Sequence, residues 1–429
     1  MRVRRCAPHL SVMALRKLPD RLEPQSWMTA PETRAVLDAL TDAGGQVRFV
    51  GGCVRDALLG REVKDIDIAT PDPPDVVMRR LERAGIRVVP TGIDHGTVTA
   101  VVRGKHFEIT TLRHDIETFG RHARVAFTDD WDADAARRDF TINAISAEPD
   151  GTLHDPFGGL DDLRAGRVRF VGEPEARIRE DVLRLLRFFR FQAWYGEGAP
   201  DPDALAACGR LANLLPTLSG ERVASEFKRL LLAPDPASAV ELMREHGVLQ
   251  QILPEATNTT RLRMLVLIED DLGDRDAVRR LAALLPLDPA AALAVAARLK
   301  LSNLKRDRLA NIVAPELQVH ADLDEAAARR MLRRLGVALF RDLVLLGWAG
   351  APGEATRFRA LLAVAEAWTP VELPVKGQDA IDLGVPAGPE IGRLLGEVER
   401  WWEEGDYRAT REDCLAKLKA LISERTLGG

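Results

Sequence analysis

The stretch RFVGGCVRDALLGREVKDIDIAT, residues 48–70, decides the fold. Phe49-Val50 reads as the end of a short strand. Gly51-Gly52 turns it into a helix carrying Val54-Arg55-Asp56-Ala57-Leu58-Leu59. Glycines at a strand-to-helix turn let backbone N–H groups approach a phosphate closely, and the helix dipole favours the anion. Gly52 is thus a candidate phosphate contact, and Arg55, one helical turn further on, a candidate second one. In Asp65-Ile66-Asp67-Ile68 the alternation of a strand places both carboxylates on one face and the isoleucines on the other. Two acids facing one way from an apolar strand are costly unless a cation neutralises them. Such a pair can hold Mg²⁺ ions about 3.5–4 Å apart, the arrangement of two-metal phosphoryl transfer. Asp-x-Asp recurs in this chain, with first residues Asp65, Asp130, Asp132, Asp201, Asp274 and Asp322. Only the first is flanked by β-branched apolar residues and follows a Gly-Gly turn, so the others read as solvated acids.

Outward from this stretch, PETRAVLDALTDAG from Pro31 reads as an amphipathic helix with Pro in its first turn. QVRFV, DIDIAT, IRVVP, TVTAVV and HFEITTL read as strands, with a helix, VVMRRLERAG, between the second and third. Helices interleaved with short strands predict a small α+β domain over residues 31–150, after an irregular lead-in over 1–30. Glu108, on the strand HFEITTL, is a candidate third carboxylate for the same metals; by itself it reads equally as a surface acid. Arg137-Arg138-Asp139-Phe140-Thr141-Ile142-Asn143 joins a basic pair to an expected helix start, and Arg138 is placed to reach a triphosphate. A turn-rich connection, EPDGTLHDPFGGLDDLRAG, follows.

After Ile178 the pattern becomes helical, with Pro and Gly as punctuation and no fixed-period repeat. In EDVLRLLRFFRF, positions 181, 184, 187 and 190 recur every third residue. This predicts Asp181, Arg184, Arg187 and Arg190 along one side of a largely buried helix. Such a stripe needs a partner: a bound nucleotide, or more simply an intrahelical Asp181–Arg184 ion pair. Near the end, VPAGPEIGRLLGEVERWWEEG places Pro389 at a helix N-terminus, with Trp401 and Trp402 as packing residues.

Composition narrows the function classes. The 429 residues are 46% hydrophobic and 29% charged, an ordinary globular profile for several domains. Net charge is −5, so any nucleic-acid contact must be a local basic surface. Nine of the 60 cations are Lys and the rest Arg, a bias that GC-rich coding accounts for. Cys6, Cys53, Cys208 and Cys414 form no CxxC pair and suit a reducing compartment, and the eight His show no zinc-type spacing. No apolar run reaches the roughly 18 residues of a membrane span. Residues 1–18 carry five cations (Arg2, Arg4, Arg5, Arg16, Lys17) and no acid. A transit peptide or a start assigned too far upstream explains this, and the second is preferred.

Together these segments resemble the class II tRNA nucleotidyltransferase and bacterial poly(A) polymerase family, within the DNA polymerase beta superfamily. GGCVRDALLG…DIDIAT resembles its first motif, RRDFTINAI its second and EDVLRLLRFFRF its base-selecting motif. HDPFGGLDDL resembles its linking segment and GERVASEFKRLL a further neck motif, all in the family's order over residues 47–232. The resemblance implies a nucleotidyltransferase head with a mixed sheet over residues 31–150. An all-helical neck (151–232), body (233–360) and tail (361–429) follow. It implies Asp65 and Asp67 as Mg²⁺ ligands, with Glu108 as third acid. Gly52, Arg55, Arg138, Arg187 and Arg190 become nucleotide contacts, and Asp181 with Arg184 the pair that reads the base. The implied reaction is addition of CCA to the 3′ end of tRNA from CTP and ATP, in the cytoplasm. Poly(A) synthesis, CC-only or A-only addition, and a catalytically silent RNA-binding protein are the alternatives. RHDIETFGRHARVAFTDDWDADAA resembles the flexible loop of enzymes that complete CCA. Oligomeric state is left open.

Overall fold

The computed structural model describes residues 18–119 and 122–426, which form two compact units. One holds the described residues up to Ala256 together with Arg298–Lys300. The other holds Thr257–Ala297 and the residues from Leu301 on.

In the first unit, seven strands form one sheet in the order β3-β4-β5-β2-β1-β8-β9. These are β1 (Arg48–Val50), β2 (Ile66–Thr70), β3 (Arg87–Gly92), β4 (Thr97–Val102), β5 (Lys105–Thr111), β8 (Ser146–Ala147) and β9 (Leu153–His154). The β2–β5 pair is parallel and the rest antiparallel, the mixed sheet expected of the head. One face is the core: Phe49, Ile68, Val98, Ala100, Phe107 and Ile109 are buried. With them are buried Val36 and Leu40 of α2 (Pro31–Thr41) and Val77 and Leu81 of α4 (Pro74–Arg83). Burying that apolar face fixes the strand register, because a one-residue slip would invert every side chain.

Two details go beyond expectation, and the second corrects it. The segment 113–136 is regular where described: β6 (Arg113–Phe119) pairs with β7 (His122–Phe127) as a separate hairpin, followed by α5 (Trp131–Ala136). The lead-in is part of the head from residue 18 on. Leu22 is buried and its N–H donates to the Gly151 carbonyl at 2.9 Å. After it come a single turn, α1 (Ser26–Thr29), and α2. Residues 1–17, with their cluster of cations, lie outside the described residues.

Beyond the sheet come α6 (Gly159–Arg164), α7 (Pro174–Glu180), α8 (Leu183–Tyr195), α9 (Pro202–Arg210) and α10 (Gly220–Leu231). The regular elements described in the second unit are all helices, among them Thr259–Leu272, Ala277–Leu284, Asn303–Val313 and Glu325–Gly350. This unit contains a partly buried ion network. Asp342 accepts from Arg279 Nε at 3.0 Å and Arg308 Nε at 2.9 Å, and Arg308 Nη1 continues to Asp276 at 2.9 Å. Towards its end, Pro389–Glu404 starts at Pro389 as expected, and Trp402 is buried with Val398 and Leu418 while Trp401 packs against them. Among the described residues no single helix is long and apolar enough to cross a membrane.

Candidate active site

The glycine turn forms as the sequence implies. Gly51 has φ +69°, ψ −124°, a conformation barred to residues with a Cβ, and Gly52 begins α3 (Gly52–Leu58). A Cβ at Gly51 would also sit 3.2 Å from Arg138 Nη1, so the turn lets that guanidinium lie against the backbone. Cys53, on the buried side of α3, donates to the Val50 carbonyl at 3.3 Å, and its Sγ lies 3.7 Å from the Asp67 carbonyl. Burial pushes this thiol up to about 12, so it serves packing and not nucleophilic chemistry.

Asp67 is the second residue of β2, and the parallel register sets it directly opposite Glu108 of β5. Asp65 immediately precedes the strand and is exposed, as is Glu108. Burial raises the Asp67 carboxyl to about 6, aided by the charges of Glu108 and Asp65 and opposed by Arg138 and Arg55. The site therefore carries surplus negative charge at one half-buried carboxylate, which suits a divalent cation. Among the described residues no group of three His, Cys, Asp or Glu side chains is arranged to hold a metal. A two-carboxylate donor set still fits Mg²⁺, which takes one or two carboxylates and completes its shell with water and substrate phosphate.

Eight of the ten residues singled out from the sequence line one cavity of about 470 Å³: Gly52, Arg55, Asp67, Arg138, Asp181, Arg184, Arg187 and Arg190. Asp65 lines a second cavity of about 380 Å³, which shares Gly52, Arg55 and Asp67 with the first. Glu108 joins them only through its strand register beside Asp67.

The helix expected to carry Asp181 with the three arginines requires a correction. Asp181 is not on it: its backbone is extended (φ −146°, ψ 108°), between α7 and α8. Only Arg184, Arg187 and Arg190 share α8. Nor does Asp181 pair with Arg184. It accepts from Arg222 Nη2 at 2.9 Å through both oxygens, and from the Leu183 N–H at 3.1 Å, closing the start of α8. Arg184 instead pairs with Glu180 and donates to the Arg177 carbonyl at 3.1 Å. At the break Asp181 accepts from the Leu183 N–H, one of the N–H groups at the start of α8 that have no intrahelical partner. The helix start expected in RRDFTIN is likewise only one 3₁₀ turn, Thr141–Asn143.

The remaining arginines are each held by a buried acid that sequence reasoning passed over. Arg138 Nη2 meets Asp134 at 3.0 Å, and Arg137 Nε donates to the same carboxylate at 2.8 Å. Arg187 Nε donates to Asp139 at 2.7 Å and Arg190 Nε to Glu226 of α10 at 2.6 Å. Burial alone would raise Asp139, but Arg187 and Asn143 outweigh it and hold its carboxyl at about 2. Arg190 also lies over the Phe191 ring at 4.4 Å. Asp139 and Asn143 lie four residues apart within RRDFTIN, a spacing that signals one shared side of a turn. Arg222 and Glu226 lie four apart in GERVASEF.

Comparison with known proteins agrees with this geometry. Residues 47–169 match the Poly A polymerase head domain, and residues 199–259 match the probable RNA and SrmB-binding site of polymerase A. Sheet, glycine turn, carboxylates and arginine-lined cavity thus make the chain a nucleotidyltransferase of the polymerase-head class. It is 34% identical over 388 residues to mitochondrial CCA tRNA nucleotidyltransferase 1 of Mus musculus, covering 87% of this chain and 86% of that protein. It is 33% identical over 411 residues to the CCA-adding enzyme of Geobacillus stearothermophilus, covering 90% and 96%. The crystal structure of the Bacillus stearothermophilus CCA-adding enzyme in complex with CTP is similar with a TM-score of 0.76 at 30% identity, over 93% of this chain and 98% of that one. The Thermotoga maritima CCA-adding enzyme complexed with tRNA shares the fold (TM-score 0.64, 19% identity, 95% and 100% covered). The chain belongs to the CCA-adding family of tRNA nucleotidyltransferases.

Proposed function

We propose that this enzyme adds C, C and A to the 3′ end of tRNA, from CTP and ATP and without a nucleic-acid template. The observation that carries the reading is the single cavity in which Asp181 and Arg184 face the same space as Arg55, Arg138, Arg187, Arg190 and Asp67. In the reaction the RNA 3′-hydroxyl attacks the α-phosphate in line and pyrophosphate leaves. Asp65 and Asp67 are the residues that would hold Mg²⁺, which when bound lowers the pKa of the attacking hydroxyl and offsets leaving-group charge. Glu108 adds a third acid beside them. Arg138 and Arg55 neutralise triphosphate charge, and the acids bound to the arginines keep them oriented before the nucleotide arrives.

Base choice follows from donor and acceptor pattern. Asp181 accepts from the exocyclic amine that cytosine and adenine share, and Arg184 donates to the adjacent ring nitrogen. Uracil and guanine present the reverse pattern and would leave buried polar groups unpaired. Arg222 uses one acceptor site on each Asp181 oxygen and the Leu183 N–H a second on Oδ1; a carboxylate has about four, so one on Oδ2 remains for the amine. The helical remainder holds tRNA by phosphate and shape contacts. The free thiols of Cys53, Cys208 and Cys414 suit a reducing compartment, which we take to be the cytoplasm.

The deciding experiment supplies a tRNA lacking its 3′ end, Mg²⁺, CTP and ATP, and reads the product's length and sequence. Addition of C, C and A followed by arrest supports the proposal. Long A tails on unrelated RNA would make the protein a poly(A) polymerase, a stop after CC or an A-only product would make it a partial adding enzyme, and no incorporation would leave an RNA-binding protein.

A further inference from the structure

Tyr195, the last residue of α8, lies outside the motif segments, yet its surroundings tie it to the site. Its ring centroid is 4.2 Å from the Arg55 guanidinium carbon and 4.7 Å from that of Arg61. Its hydroxyl donates to Asp56 Oδ1 at 3.0 Å. That oxygen also accepts from Arg55 Nε at 3.0 Å, while Asp56 Oδ2 accepts from Arg55 Nη2 at 2.8 Å. Arg55 Nη1 donates to Asn143. Three of the five N–H groups of a guanidinium are thereby used, and two remain for a ligand. The Arg55 side chain is only 8% exposed, and what remains open faces both cavities beside Asp67.

We propose that Tyr195 is a positioning residue for nucleotide binding, holding Arg55 through Asp56 and by cation–π contact in the orientation that receives the phosphates. A free arginine side chain loses much rotamer freedom when it grips a phosphate, and a braced one has lost it already. A bidentate carboxylate alone would leave Arg55 and Asp56 free to swing as a pair. The tyrosine hydroxyl on Asp56 and the ring under the guanidinium anchor that pair to α8. Because α8 also carries Arg184, Arg187 and Arg190, Tyr195 ties Arg55 of α3 to the helix that holds these three arginines. The inference rests on Arg55 being a nucleotide ligand.

Equilibrium binding of CTP and of ATP, with KM and kcat, tests it in Tyr195→Phe and Tyr195→Leu. The phenylalanine variant keeps the ring and should weaken both nucleotides about threefold. The leucine variant should weaken both about tenfold, with kcat within about twofold of wild type. In an Arg55→Lys background, Tyr195→Leu should add less than about a further twofold, since its target is gone. Unchanged affinity in Tyr195→Leu, or a full tenfold loss persisting beside Arg55→Lys, overturns the proposal. Should Tyr195→Leu fail to fold, Tyr195→Phe and Asp56→Asn carry the test: both must weaken CTP and ATP alike, and wild-type affinity in both overturns it. A wild-type protein that binds neither nucleotide overturns the function reading as well. Tight wild-type binding with unaffected Tyr195 variants overturns only this inference.

Discussion

The cavity around Asp67 and the ion network of the second unit are built from the same two side-chain types, arginine and carboxylate, and differ in what is left over. In the network, signs alternate. Asp342 sits between Arg279 and Arg308, and Arg308 continues to Asp276. Asp274 meets Arg279 and Arg341. Burial raises Asp274, but hydrogen bonds from Arg341 and Arg279 outweigh it and its carboxyl lies below the usual range. Around Asp67 like charges crowd instead, with Glu108 across the ladder and Asp65 two residues away, and the carboxyl rises to about 6. Arg138 and Arg55 are near but committed to Asp134 and Asp56. Glu269, paired with Arg279 in the same unit, also rises, to about 7, but through burial alone and with Arg279 and Arg280 opposing it; at Asp67 like charges add to burial, and that surplus is what a cation would offset.

That contrast can be broken or sharpened by substitution. The largest effect is expected at the unbalanced acids. Asp67→Ala or Asp65→Ala should cut nucleotide incorporation by about 10³-fold or more, with thermal melting no lower than wild type, since a crowded charge has been removed. Wild-type-like turnover in a primer-extension assay would remove the metal assignment. Next comes Asp342→Ala, which takes one carboxylate partner from buried Arg279 and half-buried Arg308 and should cost about 1–3 kcal/mol in urea denaturation while turnover per folded molecule stays near wild type. Loss of turnover without loss of stability would mean that the network does more than hold the second unit together.

Asp181→Ala should lower discrimination against UTP and GTP by about 10- to 100-fold, about 1.4–2.8 kcal/mol, with tRNA binding unchanged. Unchanged selectivity in single-nucleotide incorporation would sink its templating role. Arg187→Ala removes the partner that depresses Asp139. A carboxyl held near 2 when folded contributes stability that is fully present above its unfolded pKa of about 3.9 and is lost as pH falls towards 2. The variant should therefore be less stable by about 2 kcal/mol at pH 5–7, and the gap in urea midpoint should shrink as pH falls from 4 to 3. A gap independent of pH would assign the stabilisation to packing. The smallest effect is expected at an Asp-x-Asp acid outside the cavity. Asp324 caps Glu325–Gly350 by accepting from the Ala327 N–H at 2.7 Å, so Asp324→Ala should cost about 1 kcal/mol and leave transfer untouched.

Much of the site was legible because its signals are local. Gly51-Gly52 before Arg55, and Asp65 and Asp67 entering an apolar strand, need only neighbouring residues to be read. The other Asp-x-Asp acids, read as solvated, have structural uses: Asp130, Asp201, Asp276 and Asp324 are helix N-caps, Asp134 is buried against Arg137 and Arg138, and Asp276 also pairs with Arg308. The strands of the head were readable where they are apolar and alternating. The two-residue β8 and β9 and the hairpin of β6 and β7 were not, because short or charge-rich strands carry no periodic signal.

The sequence by itself determined the chemistry: which side chains bear charge, which glycines permit a turn, and that Asp67 shares an apolar strand with Ile68. Only the tertiary structure decided which charges remain uncompensated. Asp181 leaves the helix that its spacing suggests because Arg222, 41 residues away, and the Leu183 N–H bind it there. Arg187 and Arg190 are held by Asp139 and Glu226, 48 and 36 residues distant. Asp67 and Glu108 become neighbours only through the β2–β5 register. A charge's partner is a matter of distance in space, and Coulomb attraction and hydrogen bonding act over a few ångströms whatever the separation along the chain.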